Sequence, residues 1–470
     1  MSLPNLWNHQ IQAIEKAKTA KSIALFMEPG TGKTRTLLEI LRFHYNREKR
    51  MMRTIIIAPL IVTKNWKDEI KKYTKIPDDK VHFLKGTIIQ KAAELSKIKD
   101  GIIILNYDVF VKPEFLQAAI KWAPEIIALD ESHRCKEPSS KRTKNIIKLS
   151  LSMGATGYRY LLSGTPVTND QRDLWAQFYI LDHGETFGNS YYGFQAYYFI
   201  NVNAMRPKDG KYFPMWVPRP GIDVVLNEKI KDKSFIVKKE ECLDLPPLVM
   251  QEIEVELSAE QSRVYKEMKN DFIAFIKGKE AVATLAMTKM MRMQQILSGF
   301  LKMEDGTIER FDNPRERVLG ELLSDICRST KVIVWSVFHE DYATIRRVCE
   351  REGLEYVEVH GLVDEKTKFA NIEKFQKSET CRVFIGSPKA GGIGINLVEA
   401  PYSIWYSRSY SLEEDEQATA RNYRGGSEQH SKVTRIDLVC KRTVDEIILK
   451  ALREKKKIAD SILAIDTSEF

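Results

Sequence analysis

The residues best suited to chemistry lie in the stretch Met27-Glu-Pro-Gly-Thr-Gly-Lys-Thr34, which follows the apolar run 22–26 and precedes the helix-like Leu37-Leu38-Glu-Ile-Leu41. A strand that stops at a Gly-rich turn and restarts as a helix aims backbone N–H groups and the positive end of the helix dipole at one point. That point favours a phosphate. Pro29, Gly30, Thr31 and Gly32 would form the turn. Lys33 would carry a mobile charge to the β- and γ-phosphates, and the Thr34 hydroxyl would stand ready to ligate Mg²⁺. Met27 takes the place of the first glycine of this fingerprint. The competing explanation is a chance Gly-Lys-Thr at a helix N-terminus, and the strand and helix on either side argue against it.

A second group closes the apolar run Ile126 to Asp130, where the chain reads Asp130-Glu131-Ser132-His133. An acidic pair at a strand end often caps a helix. With the phosphate loop upstream, Asp130 is instead expected to hold Mg²⁺, directly or through water, and Glu131 to orient and polarise an attacking water. Gln10 lies just ahead of the loop, on the stretch Asn8 to Lys18 that has helical periodicity. Its carboxamide is able to pair with both a donor and an acceptor on an adenine edge.

These residues need a scaffold, and the scaffold is legible in four short apolar runs, 54–58, 101–106, 126–130 and 160–163. Short buried strands alternating with helical stretches make a parallel sheet covered on both faces, with ligands at the carboxyl ends of its strands. At 470 residues and 43% hydrophobic content the chain has material for two or three cores. It shows no signal peptide and no apolar run of membrane-spanning length, so a cytoplasmic, DNA-associated location is expected. The six cysteines are scattered without a C-x-x-C pair, which points away from zinc and from a disulfide framework. The formal net charge of +9 favours a polyanionic partner.

The motif around Asp130, continued by Arg134-Cys-Lys136-Glu-Pro-Ser-Ser-Lys-Arg-Thr143, resembles motif II of the Swi/Snf-type ATPases of helicase superfamily two. Ile57-Ala-Pro59-Leu-Ile-Val-Thr-Lys-Asn-Trp66-Lys-Asp-Glu-Ile70 is similar to their motif Ia, and Leu161-Leu-Ser163-Gly-Thr165-Pro166-Val-Thr-Asn169 to motif III. In the second half, Ala390-Gly391-Gly392-Ile-Gly394-Ile-Asn396-Leu397 resembles motif V, and Gln417-Ala-Thr-Ala-Arg421-Asn-Tyr-Arg424-Gly-Gly426 motif VI. The resemblance implies two RecA-like α/β lobes with ATP and Mg²⁺ in the cleft between them. It gives Gln10 the adenine-reading role of the Q motif and Pro59, Trp66, Ser387, Gly391 and Gly392 contacts to DNA. Arg421 and Arg424, three apart on one helix face, become arginine fingers, because a planar guanidinium stabilises charge on the phosphoryl oxygens in the transition state. The chain departs from the family in Ser387-Pro388-Lys389, where Ser-Thr-Lys is usual, and in Arg424-Gly425-Gly426-Ser427, where Arg-Ile-Gly-Gln is usual.

The expected organisation is a first lobe over 1–247 and a second over 248–470, parted at Pro246-Pro247. An aromatic-rich insertion at about 183–233 reads as a small core in preference to a base-stacking surface, with a hairpin tip at Lys208-Asp209-Gly210-Lys211; its look is closest to the annealing-helicase branch. Helices at 258–300 form a protrusion of the second lobe. A stripe from Val444 to Ile462 resembles the brace helix, and with the match covering nearly the whole sequence no chromatin-reading, nuclease or protease domain is expected within it. The function implied is an ATP-dependent motor tracking along double-stranded DNA, forked or branched duplexes included. Two rivals stand beside it: a strand-separating DNA or RNA helicase, and an ATP-gated DNA-binding accessory without sustained translocation.

Overall fold

A computed structural model describes residues 5–59, 62–168, 170–202, 214–242, 244–277, 283–303, 305–389 and 395–462. The hairpin tip at 208–211, Asn169, Gly391 and Gly392 lie outside them. The chain divides into two units, Met1–Leu243 with Lys455–Phe470, and Asp244–Glu454. The division falls just ahead of Pro246-Pro247, and the residues from Lys455 onward group with the first unit.

In the first unit the strands are β1 (Ser22–Met27), β2 (Thr54–Ala58), β3 (Val81–Phe83), β4 (Ile102–Asn106), β5 (Ile126–Asp130), β6 (Tyr158–Ser163), β7 (Phe199–Asn201), β8 (Trp216–Pro218) and β9 (Ser234–Val237). Seven form one sheet in the order β3-β4-β2-β5-β6-β1-β9, every pair parallel. Runs such as Thr54-Ile-Ile-Ile-Ala58 are buried throughout, as expected when helices cover both faces of a parallel sheet. This order sets β1 beside β6, and β6 beside β5. The turn after β1, the acidic pair after β5 and the Ser-Gly-Thr turn after β6 therefore share one edge. The strands β3 and β9 are not apparent in the sequence; β9 is four residues long and pairs with β1 from the far end of the insertion.

The insertion holds the helix Tyr191–Tyr198, the β7–β8 hairpin and the helix Ile222–Lys231. Phe187, Phe194, Tyr198 and Phe199 are buried, and Phe187 meets Phe178 edge to face at 5.2 Å, which joins this small core to the main one. Tyr192 and Tyr197 stay exposed, at 78% and 71%.

The second unit has β10 (Leu248–Glu254), β11 (Phe300–Lys302), β12 (Ile308–Arg310), β13 (Val332–Trp335), β14 (Glu355–Val359), β15 (Cys381–Gly386), β16 (Tyr402–Trp405) and β17 (Val433–Val439). Six make a parallel sheet in the order β10-β17-β16-β13-β15-β14, with β10 at an edge. The helices Ala259–Lys277 and Ala283–Leu297 precede the β11–β12 hairpin. Arg315 is buried beneath the start of the helix Val444–Ile462. It donates to Asp445 Oδ2 at 2.6 Å and to the Tyr406 carbonyl at 2.7 Å, and Tyr265 accepts from the Val444 N–H at 2.8 Å.

Removing one member of a buried ion pair strands the other charge. Asp445→Ala is expected to destabilise the second unit by about 3–5 kcal/mol, read as a lower urea midpoint for its transition.

Candidate active site

The site begins at the end of β1. Gly30 and Gly32 have φ of 96° and 86°, left-handed values that strain any residue with a Cβ, so these two positions need glycine. Met27 is still strand; its side chain is fully buried in the core, and no positive φ is required of it. That explains how a methionine fits the first position of the fingerprint. Thr31 is buried, and its hydroxyl donates to the Glu28 carbonyl at 2.7 Å, which closes the turn. Lys33 opens the helix Lys33–Glu48 and reaches back to the Met27 carbonyl at 2.8 Å. Thr34 follows, half-buried.

The helix Asn8–Thr19 braces this turn from outside. Gln10 is buried; its Oε1 accepts from the Trp7 N–H at 2.9 Å and its Nε2 donates to the Gly32 carbonyl at 3.3 Å. Those contacts use half the bonding capacity of a carboxamide. His9, unremarkable in the sequence, meets the Thr31 carbonyl through Nε2 at 2.8 Å, and burial pushes its imidazole pKa down. On the other side Gly164, in the turn after β6, packs so close that a Cβ there would lie 2.5 Å from Pro29 Cδ.

Asp130 ends β5, nearly enclosed. Burial, and after it the charge of Glu131, push its carboxyl up from the ordinary aspartate value; the Trp66 N–H and the Lys33 charge act against them. Trp66 Nε1 donates to Asp130 Oδ2 at 2.9 Å, and the Tyr107 hydroxyl donates to the Asp130 carbonyl at 2.8 Å. Glu131 sits at φ 55°, an uncommon left-handed conformation for a residue of its kind and one that recurs at functional sites. Its Oε2 lies 3.5 Å from His133 Nδ1, which in turn meets Ser163 Oγ at 3.0 Å. Ser132 donates to Gln177, and Gln177 donates to the Pro166 carbonyl at 2.7 Å. The segment Glu131–His133 is thus tied to the end of β6 through His133 and Ser163, and to the turn after it through Ser132, Gln177 and Pro166.

Two residues expected on DNA are placed otherwise. Trp66 is completely buried and spends its indole N–H on Asp130, so it cannot present a surface to a polymer. Pro59 is buried too, and its carbonyl accepts from Val62 and Thr63 to start the helix Thr63–Tyr73. In the second unit Ser387 is half-buried and its N–H donates to the Val359 carbonyl at 3.2 Å. Pro388 is buried and Lys389 is exposed. Arg421 and Arg424 do not share a helix face as expected, because the helix Leu412–Thr419 ends before them and both lie in turns; Arg421 is buried, and its carbonyl accepts from Leu397 N–H at 2.9 Å. Ser427 N–H closes onto the Arg424 carbonyl at 2.9 Å with Gly426 at φ 105°, so the departing Gly-Gly-Ser sequence makes a tight turn directly after Arg424.

The donor set suits Mg²⁺. A carboxylate and a hydroxyl, Asp130 and Thr34, are hard oxygen ligands, and Mg²⁺ is commonly held by one or two protein oxygens with phosphate and water completing the shell. Among the described residues no cluster of three or more His, Cys, Asp or Glu could serve as a cage.

The SNF2-related domain model matches residues 10–305, and the helicase conserved C-terminal domain model matches residues 315–426. The chain belongs to the Swi/Snf-type ATPases of helicase superfamily two. An uncharacterised ATP-dependent helicase of Mycoplasma genitalium is 24% identical over 94% of this Swi/Snf-type chain and 40% of its own length. Transcription regulatory protein SNF2 of Saccharomyces cerevisiae is 26% identical over 93% of this chain and 26% of its own. The chain therefore spans less than half the length of these curated relatives. Among solved structures, the Sulfolobus solfataricus SWI2/SNF2 ATPase core in complex with dsDNA aligns over 98% of this chain and 93% of its own, at 22% identity and a TM-score of 0.44. Among the described residues no helix is long and apolar enough to cross a membrane.

The Gly164–Pro29 contact leaves no room for a methyl group, and forced overpacking costs about 1–3 kcal/mol. Gly164→Ala is expected to weaken nucleotide binding by about tenfold, whereas Gly361→Ala, whose added Cβ meets nothing within 4 Å, leaves it unchanged. Titration with a fluorescent ATP analogue measures both.

Proposed function

We propose that this chain is a DNA-stimulated ATPase that turns hydrolysis into stepwise tracking along double-stranded DNA. The observation that carries the reading is the packing of the phosphate loop and the acidic pair onto one sheet edge, with Gly164 of the intervening strand end against Pro29.

In this reading Gly30, Thr31, Gly32 and Lys33 take the phosphates through backbone N–H groups and the Lys33 ammonium, and Gln10 reads the adenine edge. Thr34 and Asp130 would hold Mg²⁺, which would supply neutralisation of phosphate charge. Glu131 would align the attacking water and take up its proton, with His133 Nδ1 3.5 Å from its Oε2. Arg421 and Arg424 would act as arginine fingers toward the γ-phosphate, a role that rests on their resemblance to motif VI. Arginine fingers of this kind contribute about a thousandfold or more in rate. A γ-phosphate held from both units would close them on ATP and release them after hydrolysis. Ser387 and Lys389 would then grip backbone phosphates through the cycle, so binding should be indifferent to sequence and weaken steeply with salt.

The test is ATP hydrolysis measured without polymer and with double-stranded, single-stranded and forked DNA and with RNA. Duplex DNA is expected to stimulate most; stimulation by RNA or single strands alone would instead favour a strand-separating helicase. In the same assay Lys33→Ala should abolish turnover. Glu131→Gln should retain ATP binding and lose turnover, because an amide cannot accept the proton of the water. Near-normal turnover by Lys33→Ala would contradict the phosphate-loop assignment.

A further inference from the structure

The second unit contains a quartet of two arginines and two aspartates that the motifs do not account for; Arg408, Arg435 and Asp437 are buried and Asp415 is partly buried. Arg435 lies on β17 and forks onto Asp415, with Nη1 2.7 Å from Oδ2 and Nη2 2.7 Å from Oδ1. The same Nη1 also donates to Thr419 Oγ1 at 2.9 Å, and that hydroxyl donates to the Asp415 carbonyl at 2.8 Å. On its sheet side Arg435 Nε donates to Asp437 Oδ1 at 3.1 Å. Arg408 completes the set, bonded to Asp437 through Nη2 and 3.2 Å from Asp415 Oδ1 through Nη1. Both guanidinium groups lie against Trp405, 4.7 and 4.8 Å from its ring centroid, and Trp405 stands directly across from Asp437 in the β16–β17 pairing.

Such a cluster is an expensive way to fill a core. Taking two ion pairs out of water costs about as much as their mutual attraction returns, and apolar side chains of the same size would serve stability as well. What a buried, bidentate fork supplies is direction. Here the direction concerns the helix Leu412–Thr419, started by Ser411, whose Oγ accepts from the Glu414 N–H. Asp415 and Thr419 are four apart and on one face of it, so a single guanidinium anchored on the sheet grips two successive turns and fixes the rotation of the helix about its axis. The chain leaves this helix directly into Arg421 and Arg424. It is caught again at once by Leu397 N–H on the Arg421 carbonyl and by Asn422 Nδ2 on the Ala400 carbonyl at 2.9 Å.

We propose that Arg435, with Asp415 and Thr419, is the positioning clamp that sets where Arg421 and Arg424 emerge from the second unit. The proposal rests on the reading of those two arginines as fingers on the γ-phosphate. Arg435 itself touches no reactant; it acts through the helix. Arg408 and Asp437 hold Arg435 in the one orientation in which its fork faces Asp415, and Trp405 provides the flat surface against which both guanidinium groups lie.

The experiment is a double-mutant cycle in the full chain, reading kcat, the KM for ATP and the melting temperature. Arg435→Gln and, as the milder change, Thr419→Val are made alone and together with Arg424→Ala. Misplacing a catalytic group by about 1 Å costs on the order of a hundredfold. Arg435→Gln is therefore expected to lower kcat by about ten- to a hundredfold while KM moves less than about threefold, with Thr419→Val in the same direction and smaller. In the Arg424→Ala background one of the two fingers the clamp places is gone, so Arg435→Gln and Thr419→Val should lower kcat by a smaller factor than they do alone. Losses that multiply equally in both backgrounds, or a folded Thr419→Val and Arg435→Gln pair with unaltered kcat, would overturn the clamp while leaving the fingers in place. An Arg424→Ala protein with undiminished kcat would overturn the finger reading, and the clamp with it.

Discussion

The first unit is organised around one buried carboxyl group. Asp130 ends a central strand, nearly out of water and adjacent to a second carboxylate, and both circumstances favour its protonated form. The fold opposes them with few means: the Trp66 indole N–H on one carboxylate oxygen and the Lys33 ammonium nearby. A divalent cation held there with phosphate, as in the proposed function, would ease the remaining penalty. On the proposed reading this arrangement suits a metal-bound polyphosphate.

Much of that site was legible in the chain because its parts are local. A strand, two left-handed glycines and a helix occupy 27 consecutive positions from Ser22 to Glu48, and each announces itself by composition. The acidic pair was legible because β5 is a clean apolar run that stops at Asp130. What stayed hidden is what depends on contacts between distant segments. Trp66 reaches Asp130 across 64 positions, and nothing in its own neighbourhood distinguishes a tryptophan aimed inward from one laid on a polymer. Resemblance put it on the DNA side; burial puts it behind the carboxylate. His9 on the Thr31 carbonyl and Gly164 on Pro29 were hidden for the same reason. So was β9, whose parallel pairing with β1 spans about 210 residues and which is too short to show a pattern of its own.

The two units solve different problems with the same architecture. The first places its polar chemistry at strand ends, where backbone dipoles would take the phosphates in the proposed function. The second has no phosphate loop and places a buried lattice of charge under a helix instead. Fixed orientation is the common product: left-handed glycines and a left-handed Glu131 in one, a bidentate arginine on two helix turns in the other. Where the chain departs from the usual family wording, local geometry absorbs the change. Met27 sits in strand conformation, Pro388 is buried, and Gly426 supplies the left-handed turn after Arg424.

The central claim is that hydrolysis moves this chain along intact duplex without parting its strands. Displacement of a triplex-forming third strand, followed in parallel with release of a long complementary strand from a tailed duplex, addresses that claim directly. The account predicts ATP-dependent loss of the third strand, sensitive to salt, with the tailed duplex left paired. Efficient release of the long complementary strand, or a third strand that stays in place while ATP is consumed, would contradict it.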